Sequence, residues 1–160
     1  MQEIKFLTSR EKKRLGQEIQ EQWDAPLPEG QYLANNKNRY YLFTGDLADE
    51  DQRRKISSLG CYFAEQSPIG LRLSIEGAQT IGAHATKNVI DVDRSMRKAW
   101  FEGEDLSFGE GTAGQDALKD CSGFVILRYD GIVLGCGRVK EGSVQNYLSK
   151  TRRLVDPLDG

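Results

Sequence analysis

Basic side chains are concentrated near the end of this chain of 160 residues. Between Arg138 and Leu154 the sequence sets five cations against a single acidic residue, Glu141. The five cations are Arg138, Lys140, Lys150, Arg152 and Arg153. Lysine and arginine contact the phosphates of nucleic acids, and these contacts supply most of the non-specific affinity. A solvated tail explains the composition equally well, so the charge pattern needs support from the rest of the sequence.

Uncharged polar residues of the same segment can contact bases. Gln145 and Asn146 carry amide groups that can hydrogen-bond to base edges, and Tyr147 can stack on a base where its ring is exposed. Tyr147 can equally belong to the core. If RNA is the partner, we expect a single-stranded or bulged strand that is held mainly through its phosphates, with Tyr147 or Asn146 adding a base contact. A docking face for an acidic protein partner is the alternative.

A β-hairpin must position this basic segment. Phe124–Leu127 is an apolar run with two β-branched residues, which predicts a buried strand. Asp130-Gly131 is typical of a type I′ turn, because that turn needs a positive φ at both central residues. Ile132–Leu134 then begins the return strand.

Two glycines interrupt the return strand before the basic residues. Gly135 and Gly137 indicate a bulge, a barrel corner or a close approach to the backbone, since glycine weakens a regular strand. Beyond them, Arg138 and Lys140 are two residues apart. We therefore expect both side chains on one face of the strand.

Catalytic and metal-binding patterns are weak in this sequence. His84 is the single histidine, and the three cysteines are far apart, so neither a zinc site nor a disulfide framework is predicted. Gly109–Gly114 spells GxGxxG, but Gln115–Asp120 is too short for the helix of a dinucleotide-binding unit. Plain-loop and structural interpretations are therefore preferred, and no catalytic residue, cofactor or metal is predicted.

Composition limits the remaining classes of protein. The net charge is −2 and the isoelectric point about 5.5, which argues against an all-over basic nucleic-acid binder but allows a local basic face. No apolar run approaches the roughly 20 residues that span a bilayer. The segment from Met1 to Phe6 lacks the apolar core of a signal peptide, so a cytoplasmic protein is expected.

The first half of the chain predicts a helix followed by strands. Thr8 and Glu11 fit a capping box, and Leu15, Ile19 and Trp23 form one apolar face, which predicts a helix over Ser9–Trp23. The further predicted elements are strands at Gln31–Ala34 and Arg39–Thr44, a helix that opens within Asp46–Asp51 and stops at Gly60, an extended segment from Tyr62, a strand at Leu71–Ile75 and a short helix at Glu76–His84.

The second half predicts a short strand, a capped helix and a loop before the hairpin. Asn88–Val92 is strand-like, and Asp93 caps a helix over Arg94–Phe101. Leu106–Phe108 is the next predicted strand. Gly109–Asp120 holds three glycines and three acidic residues, which predicts a mobile loop.

Motifs in the second half resemble the closing strands of PUA-type RNA-binding domains. They are Leu134-Gly135-x-Gly137 followed by Arg138, then Gly142, Asn146-Tyr147 and Arg152-Arg153. The segment is similar to the C-terminal domain of Sun-family rRNA cytosine-5 methyltransferases and to the small two-domain pre-ribosome factor of the Nip family. In PUA domains a comparable helix precedes a glycine-containing loop that approaches RNA. The resemblance therefore adds Gly103, within Trp100–Leu106, to the candidate RNA-binding residues.

Short motifs of the first half resemble the N-terminal domain of the Nip-type factor. They are Arg39-Tyr40-Tyr41-Leu42, Ile56-x-x-Leu59-Gly60-x-x-Phe63 and Leu71-Arg72-Leu73-x-Ile75, in that order. The resemblance implies an α+β fold, with an N-terminal α/β (pre-PUA) domain over residues 1–84 and a PUA-like β-barrel over residues 85–160.

The same resemblance implies a non-enzymatic RNA-binding protein that acts in rRNA maturation or large ribosomal subunit assembly. Its expected partner is rRNA or tRNA, together with ribosome assembly factors or an RNA methyltransferase. Only the RNA-handling module of the methyltransferases is shared, because the sequence has no Pro-Cys nucleophile motif. A protein-interaction adaptor and an accessory subunit of an RNA-modifying enzyme are the alternatives.

Overall fold

The structure is a computed structural model that describes residues 4–43, 61–112 and 114–147. The helix predicted between Asp46 and Gly60 lies outside these residues, and so do the candidates Lys150, Arg152 and Arg153. None of the helices in the described ranges combines the length and the apolar character that crossing a bilayer requires.

The first half begins with a short strand and a capped helix. Strand β1 covers Ile4–Phe6, and helix α1 covers Ser9–Trp23, as predicted. The Thr8 hydroxyl accepts a hydrogen bond from the Glu11 backbone N–H at 3.1 Å, and the Glu11 carboxylate accepts one from the Thr8 N–H at 3.0 Å. This reciprocal pair satisfies two backbone donors that a helix start leaves without partners, which explains why α1 begins at Ser9.

An antiparallel meander follows α1. Its strands are β2 (Gln31–Asn35), β3 (Arg39–Phe43), β4 (Cys61–Ser67) and β5 (Gly70–Leu73), and within the described residues they form a five-stranded sheet in the order β1-β2-β3-β4-β5. Strand β5 ends two residues before the predicted Ile75, because the Ser74 hydroxyl accepts from the Gly77 N–H at 2.9 Å and caps helix α2 (Ile75–Gly82).

The second half adds a mixed sheet with helices against it. Its elements are β6 (Val89–Asp91), α3 (Arg94–Phe101), β7 (Leu106–Ser107), α4 (Gln115–Lys119), β8 (Phe124–Tyr129), β9 (Ile132–Lys140) and β10 (Ser143–Asn146). The helix predicted over Arg94–Phe101 is confirmed, and Asp93 caps it by accepting from the Met96 N–H at 2.8 Å. The strand order among the described residues is β6-β8-β9-β10-β7, with only β6 and β8 parallel.

The prediction of a mobile loop over Gly109–Asp120 is wrong for its second part. Residues Gln115–Lys119 form helix α4, and Leu118 is buried in the apolar cluster of the second half. Gly114 enters the helix with φ +83°, and a Cβ there would lie 2.7 Å from Ile90 Cγ2. Glycines and acidic residues make up half of this segment and indicate a loop, whereas the anchor is a packing contact with the distant strand β6.

Strand β8 is buried on both faces and belongs to two apolar clusters. Val125 and Leu127 pack in the cluster of the second half, which includes Trp100. Phe124 and Ile126 point the other way, into a cluster that also contains residues of α1, β4, β5 and α2. The continuous apolar run that predicted a buried strand is explained by this double burial.

The predicted α+β class is confirmed in its general form, as two mostly antiparallel sheets with packed helices. The second sheet, with β6 and β7 at its edges, forms a half-barrel that is consistent with a PUA-like fold. The assignment of residues 1–84 as a pre-PUA domain stays a prediction, as does the boundary at residue 84. One apolar cluster extends across that boundary.

Candidate nucleic-acid interface

The glycine-rich return strand contains the predicted bulge. Leu127 pairs with Gly135 and Arg128 with Val133, so Leu134 is an extra residue in strand β9. The predicted close approach is present as well, because a Cβ on Gly137 would lie 3.0 Å from Trp100 Cη2 and 2.7 Å from the Gln145 carbonyl oxygen. Both glycines thus let the indole of α3 lie against the backbone of β9.

Strand pairing positions Arg138 and Lys140 on one face, as predicted. Arg138 lies opposite Phe124 on β8 and Gln145 on β10, and Lys140 lies opposite Ser143. Arg138 is half-buried, whereas Lys140 is exposed. A second tight turn, Glu141-Gly142 with φ +48° and +79°, returns the chain into β10. The basic segment is therefore an ordered hairpin through Asn146.

Tyr147 is partly exposed and lies between the two halves of the protein. Its side chain is 40% exposed, and its ring centroid is 6.1 Å from that of Phe124. The Arg72 guanidinium carbon lies 4.9 Å from the Tyr147 ring centroid, a cation–π distance. The sequence left open whether Tyr147 belongs to the core or to the surface. The ring packs on two neighbours and keeps an accessible part, so Tyr147 belongs to both.

Arg72 is a site residue that the sequence analysis missed. Its partner Glu65, on β4, accepts from Arg72 at 2.9 Å and from Arg39 on β3 at 3.2 Å. This row of three side chains across neighbouring strands carries a net charge of about +1, because two guanidiniums share one carboxylate. The alternation of Leu71-Arg72-Leu73 indicates only that Arg72 lies on the opposite face from two leucines. No local pattern could have shown that it meets Tyr147.

Asn146 holds the loop that contains Gly103, on the opposite face of the second sheet. The Asn146 amide nitrogen donates to the Trp100 carbonyl oxygen at 2.8 Å and to the Glu104 carbonyl oxygen at 3.0 Å. Its backbone N–H donates to the Asp105 carboxylate at 2.8 Å. Both amide protons of Asn146 are thus used to hold the loop after α3, which argues against the predicted base contact through this NH₂ group.

The Gly103 loop carries acidic rather than basic neighbours. Gly103 has φ +89°, and its N–H donates to the Trp100 carbonyl oxygen at 3.0 Å. Glu104 and Asp105, which follow it, are exposed. Because residues alternate across a strand, Asn146 and this loop lie on one face while Gln145 and Tyr147 lie on the other. The predicted candidates that the structure describes therefore form two groups.

One group consists of Arg138, Lys140, Gln145 and Tyr147. Together with Arg72, these residues form what we call the junction surface. It combines cations, an amide and an aromatic ring from both halves of the chain. The Tyr147 hydroxyl lies 3.4 Å from the Gln145 side-chain oxygen, so the aromatic and amide groups adjoin. Such a surface can neutralise phosphates and offer a stacking platform, which are the two requirements for binding single-stranded nucleic acid.

Burial controls the chemistry of the thiol that lies nearest this surface among the described residues. Burial raises the pKa of the Cys136 thiol to about 12, which leaves it protonated at neutral pH and a poor nucleophile. His84 is exposed on the surface after α2. In the part of the chain that the structure describes, no three His, Cys, Asp or Glu side chains are grouped in a way that could hold a metal ion.

Comparison with known proteins agrees with this fold. Residues 87–154 match the family model described as the PUA domain of the methyltransferase RsmF. Residues 87–154 are therefore similar to the PUA domain at the C-terminus of Sun-family rRNA methyltransferases, which confirms the resemblance predicted from the sequence. The Nip-type resemblance of the first half stays a prediction.

Relatives that match most of this chain include proteins named ribosomal RNA small subunit methyltransferase F. The chain is 24% identical to the protein of Vibrio vulnificus (strain YJ016) over 143 residues, which cover 89% of this chain and 28% of that protein. It is 26% identical to the protein of Vibrio atlanticus (strain LGP32), with 91% and 30% covered. For Aeromonas salmonicida (strain A449) the values are 28% identity, 78% and 24%.

The lengths of these matches have two consequences. A match over 143 residues extends well into the first half of this chain, beyond the PUA domain. The chain nevertheless spans less than a third of the length of these relatives. The similarity therefore covers both sheets of this protein but a minor part of each methyltransferase.

Proposed function

We propose that this protein is a non-enzymatic RNA-binding factor that acts on ribosomal RNA. The observation that carries the proposal is the contact between Arg72, from the first half, and the Tyr147 ring, with Arg138 on the neighbouring strand β9 opposite Gln145. Cations placed beside an exposed aromatic ring match the chemistry of an unpaired RNA strand, which presents phosphates and unstacked bases together.

The relatives' name supports rRNA as the class of RNA. It refers to methylation of small-subunit rRNA, and the part of those proteins that matches this chain includes their PUA domain. We therefore propose a role in rRNA maturation, and the alternative of large-subunit assembly has no separate support from these names. The non-enzymatic character is supported by the buried, protonated Cys136 and the isolated His84.

The proposal is tested by measuring the affinity of the full chain for fluorescently labelled rRNA fragments at several salt concentrations. Replacing Arg138 and Lys140 by glutamine should weaken binding. It should also flatten the slope of log affinity against log salt by about 0.7 for each lost phosphate contact. The matched control replaces Lys13 and Arg14, an exposed lysine and arginine on α1, and we expect little change.

Three outcomes would contradict this assignment in different ways. If the α1 variant lost binding and the β9 variant kept it, the interface would lie on the other half of the chain. RNA affinity that is absent in the unmodified chain would instead favour the protein-interaction adaptor. An accessory role for an RNA-modifying enzyme is favoured by the methyltransferase relatives, and it predicts that adding such an enzyme raises the RNA affinity of the mixture.

A further inference from the structure

A small cavity opens between the two halves of the protein, beside the junction surface. Its volume is about 170 Å³, below the roughly 300 Å³ at which sites for drug-sized ligands begin. The first half contributes Tyr62, Arg72 and Glu76 to the lining, and the second half contributes Trp100, Gly135 and Tyr147. The space suits one flat, base-sized group better than a larger ligand.

The cavity lining contains a buried hydrogen-bond donor without an acceptor. Trp100 is 1% exposed, and its indole Nε1 has no hydrogen-bond partner among the residues that the structure describes. The indole N–H can only donate, and leaving such a group unsatisfied destabilises a protein by about 1–3 kcal/mol. A group that accepts a hydrogen bond would therefore be favoured next to Trp100.

Gly135 places backbone, and no side chain, next to the buried indole nitrogen. A Cβ at this position would lie 3.4 Å from Trp100 Nε1 and 3.5 Å from its Cζ2 atom. Any other residue would place a side chain over the donor. The bulge in β9 therefore does more than bend the strand, because its glycine separates the donor from the cavity by backbone alone.

The mouth of the cavity provides a stacking surface. Tyr147 and the Arg72 guanidinium lie 4.9 Å apart, and both line the cavity. Aromatic rings and guanidinium planes are the groups on which unstacked RNA bases lie. The lining contains one anion, Glu76, and one cation, Arg72. Because these charges balance, the cavity does not favour a phosphate over a neutral group. The cations suited to phosphates, Arg138 and Lys140, lie on strand β9 beside it.

We propose that this cavity binds a single unstacked nucleobase of a single-stranded or bulged RNA. The base stacks at the mouth against Tyr147 and Arg72, and its binding moves the lining enough for one of its ring nitrogen or carbonyl acceptors to receive a hydrogen bond from the buried Trp100 Nε1–H. The flanking phosphates lie along Arg138 and Lys140. This inference rests on the proposed RNA-binding function and assigns the base contact to Tyr147, Arg72 and Trp100.

The two tryptophans of the chain allow a direct test by NMR. A ¹⁵N–¹H spectrum of the full chain shows one indole signal each for Trp23 and Trp100, and Trp23→Phe assigns them. The probes are the four ribonucleoside 5′-monophosphates and single-stranded RNAs of about ten nucleotides, a length within the usual site sizes. We expect the Trp100 indole signal to shift saturably while the Trp23 signal stays, and ribose 5-phosphate to have no effect.

Matched variants separate the base contact from general electrostatics. Arg72→Ala should weaken RNA binding, whereas Arg128→Ala, which removes an arginine of similar exposure that is paired with Asp91, should not. Removing Arg72 leaves Glu65 paired with Arg39, so the fold should survive. Tyr147→Ala should weaken binding about tenfold, in the range found for loss of one stacking platform. The control Phe6→Ala removes a ring of the same exposure on β1.

The outcomes distinguish this inference from the proposed function. If RNA binds with the expected dependence on Arg138 and Lys140 but the Trp100 signal does not shift, the base site is refuted and the RNA-binding function stands. A shift that ribose 5-phosphate reproduces also refutes the base site. If monophosphates shift the Trp100 signal but no RNA binds, the cavity is a base site and the proposed function is wrong. If the Trp100 signal does not shift and no RNA binds, both the base site and the proposed function are refuted.

Discussion

A single methyl group at Gly82 tests whether the two halves of the protein pack as one unit. Gly82 is the last residue of helix α2 and is buried against strand β9. A Cβ at this position would lie 2.5 Å from Val133 Cγ2 and 3.2 Å from Ile126 Cγ2. These neighbours belong to the second half, so Gly82→Ala acts on the contact across residue 84.

Two opposing effects set the expected free-energy change. Alanine is about 1 kcal/mol more favourable than glycine inside a helix, and this would stabilise an independent first half. Overpacking of a filled interface destabilises by typically 1–3 kcal/mol. Valine is stiff at χ1, so Val133 cannot easily move its methyl group away. We therefore expect Gly82→Ala to lower the free energy of unfolding by about 1 kcal/mol.

Urea denaturation of a double-mutant cycle with Val133→Ala measures the coupling. Truncating Val133 removes the atom that the new methyl meets, so Gly82→Ala should become neutral or stabilising in that background. Residues in contact commonly show coupling energies of about 0.5–3 kcal/mol. The control is Gly131→Ala, a turn position with φ +79° and no heavy atom within 4 Å of the added Cβ. Its strain should be independent of Val133.

The reasoning would be refuted by stabilisation in the Gly82→Ala protein, or by strict additivity with Val133→Ala. Either result would show that α2 does not pack on β9 as the structure has it. Two separate unfolding transitions in the unmodified chain would also contradict a shared core, and would favour the division into domains at residue 84 that the resemblance predicted.

Two further predictions concern the start of helix α1 and the buried thiol of Cys136. Thr8→Ala should lower the free energy of unfolding by about 1 kcal/mol in thermal or urea denaturation, because it removes the N-cap of α1. Hydrogen bonds from Thr8 lower the pKa of Glu11. The stabilisation from the ionised Glu11 is therefore present at neutral pH and is lost as the pH falls through this lowered pKa. An NMR titration should show the Glu11 pKa rising toward its ordinary value in Thr8→Ala. Burial raises the pKa of Cys136 to about 12. Iodoacetamide at mildly alkaline pH should therefore label the exposed Cys61 and leave Cys136 unlabelled until the protein unfolds. Equal labelling of the two thiols would contradict the burial of Cys136.

The sequence by itself determined the elements that depend on near neighbours. Helix α1 begins where the Thr8–Glu11 capping box places it, and α3 begins where Asp93 caps it. The Asp130-Gly131 turn has φ +51° and +79°, as the residue pair predicts. Each of these features arises from hydrogen bonds or backbone preferences within about four residues, so the local sequence contains the information.

Several predicted site properties depended on contacts that the local sequence does not contain. Asn146 has the chemistry of a base-reading residue, but the structure uses its amide to hold the loop after α3. The second part of Gly109–Asp120 is helical because Leu118 reaches the core of the second half. In both cases the deciding contact is made with residues of other elements, which the local sequence does not reveal.

The tertiary structure alone decided the composition of the junction surface and its cavity. Arg72 and Tyr147 come from different halves of the chain, and their contact exists because α2 and β5 pack against β9. Trp100 meets Gly135 because the bulge at Leu134 shifts the register of β9. Local sequence determines which side chains share a face of one strand. Which faces meet depends on sheet register and on the packing of one sheet against another, and these arise only when the whole chain folds.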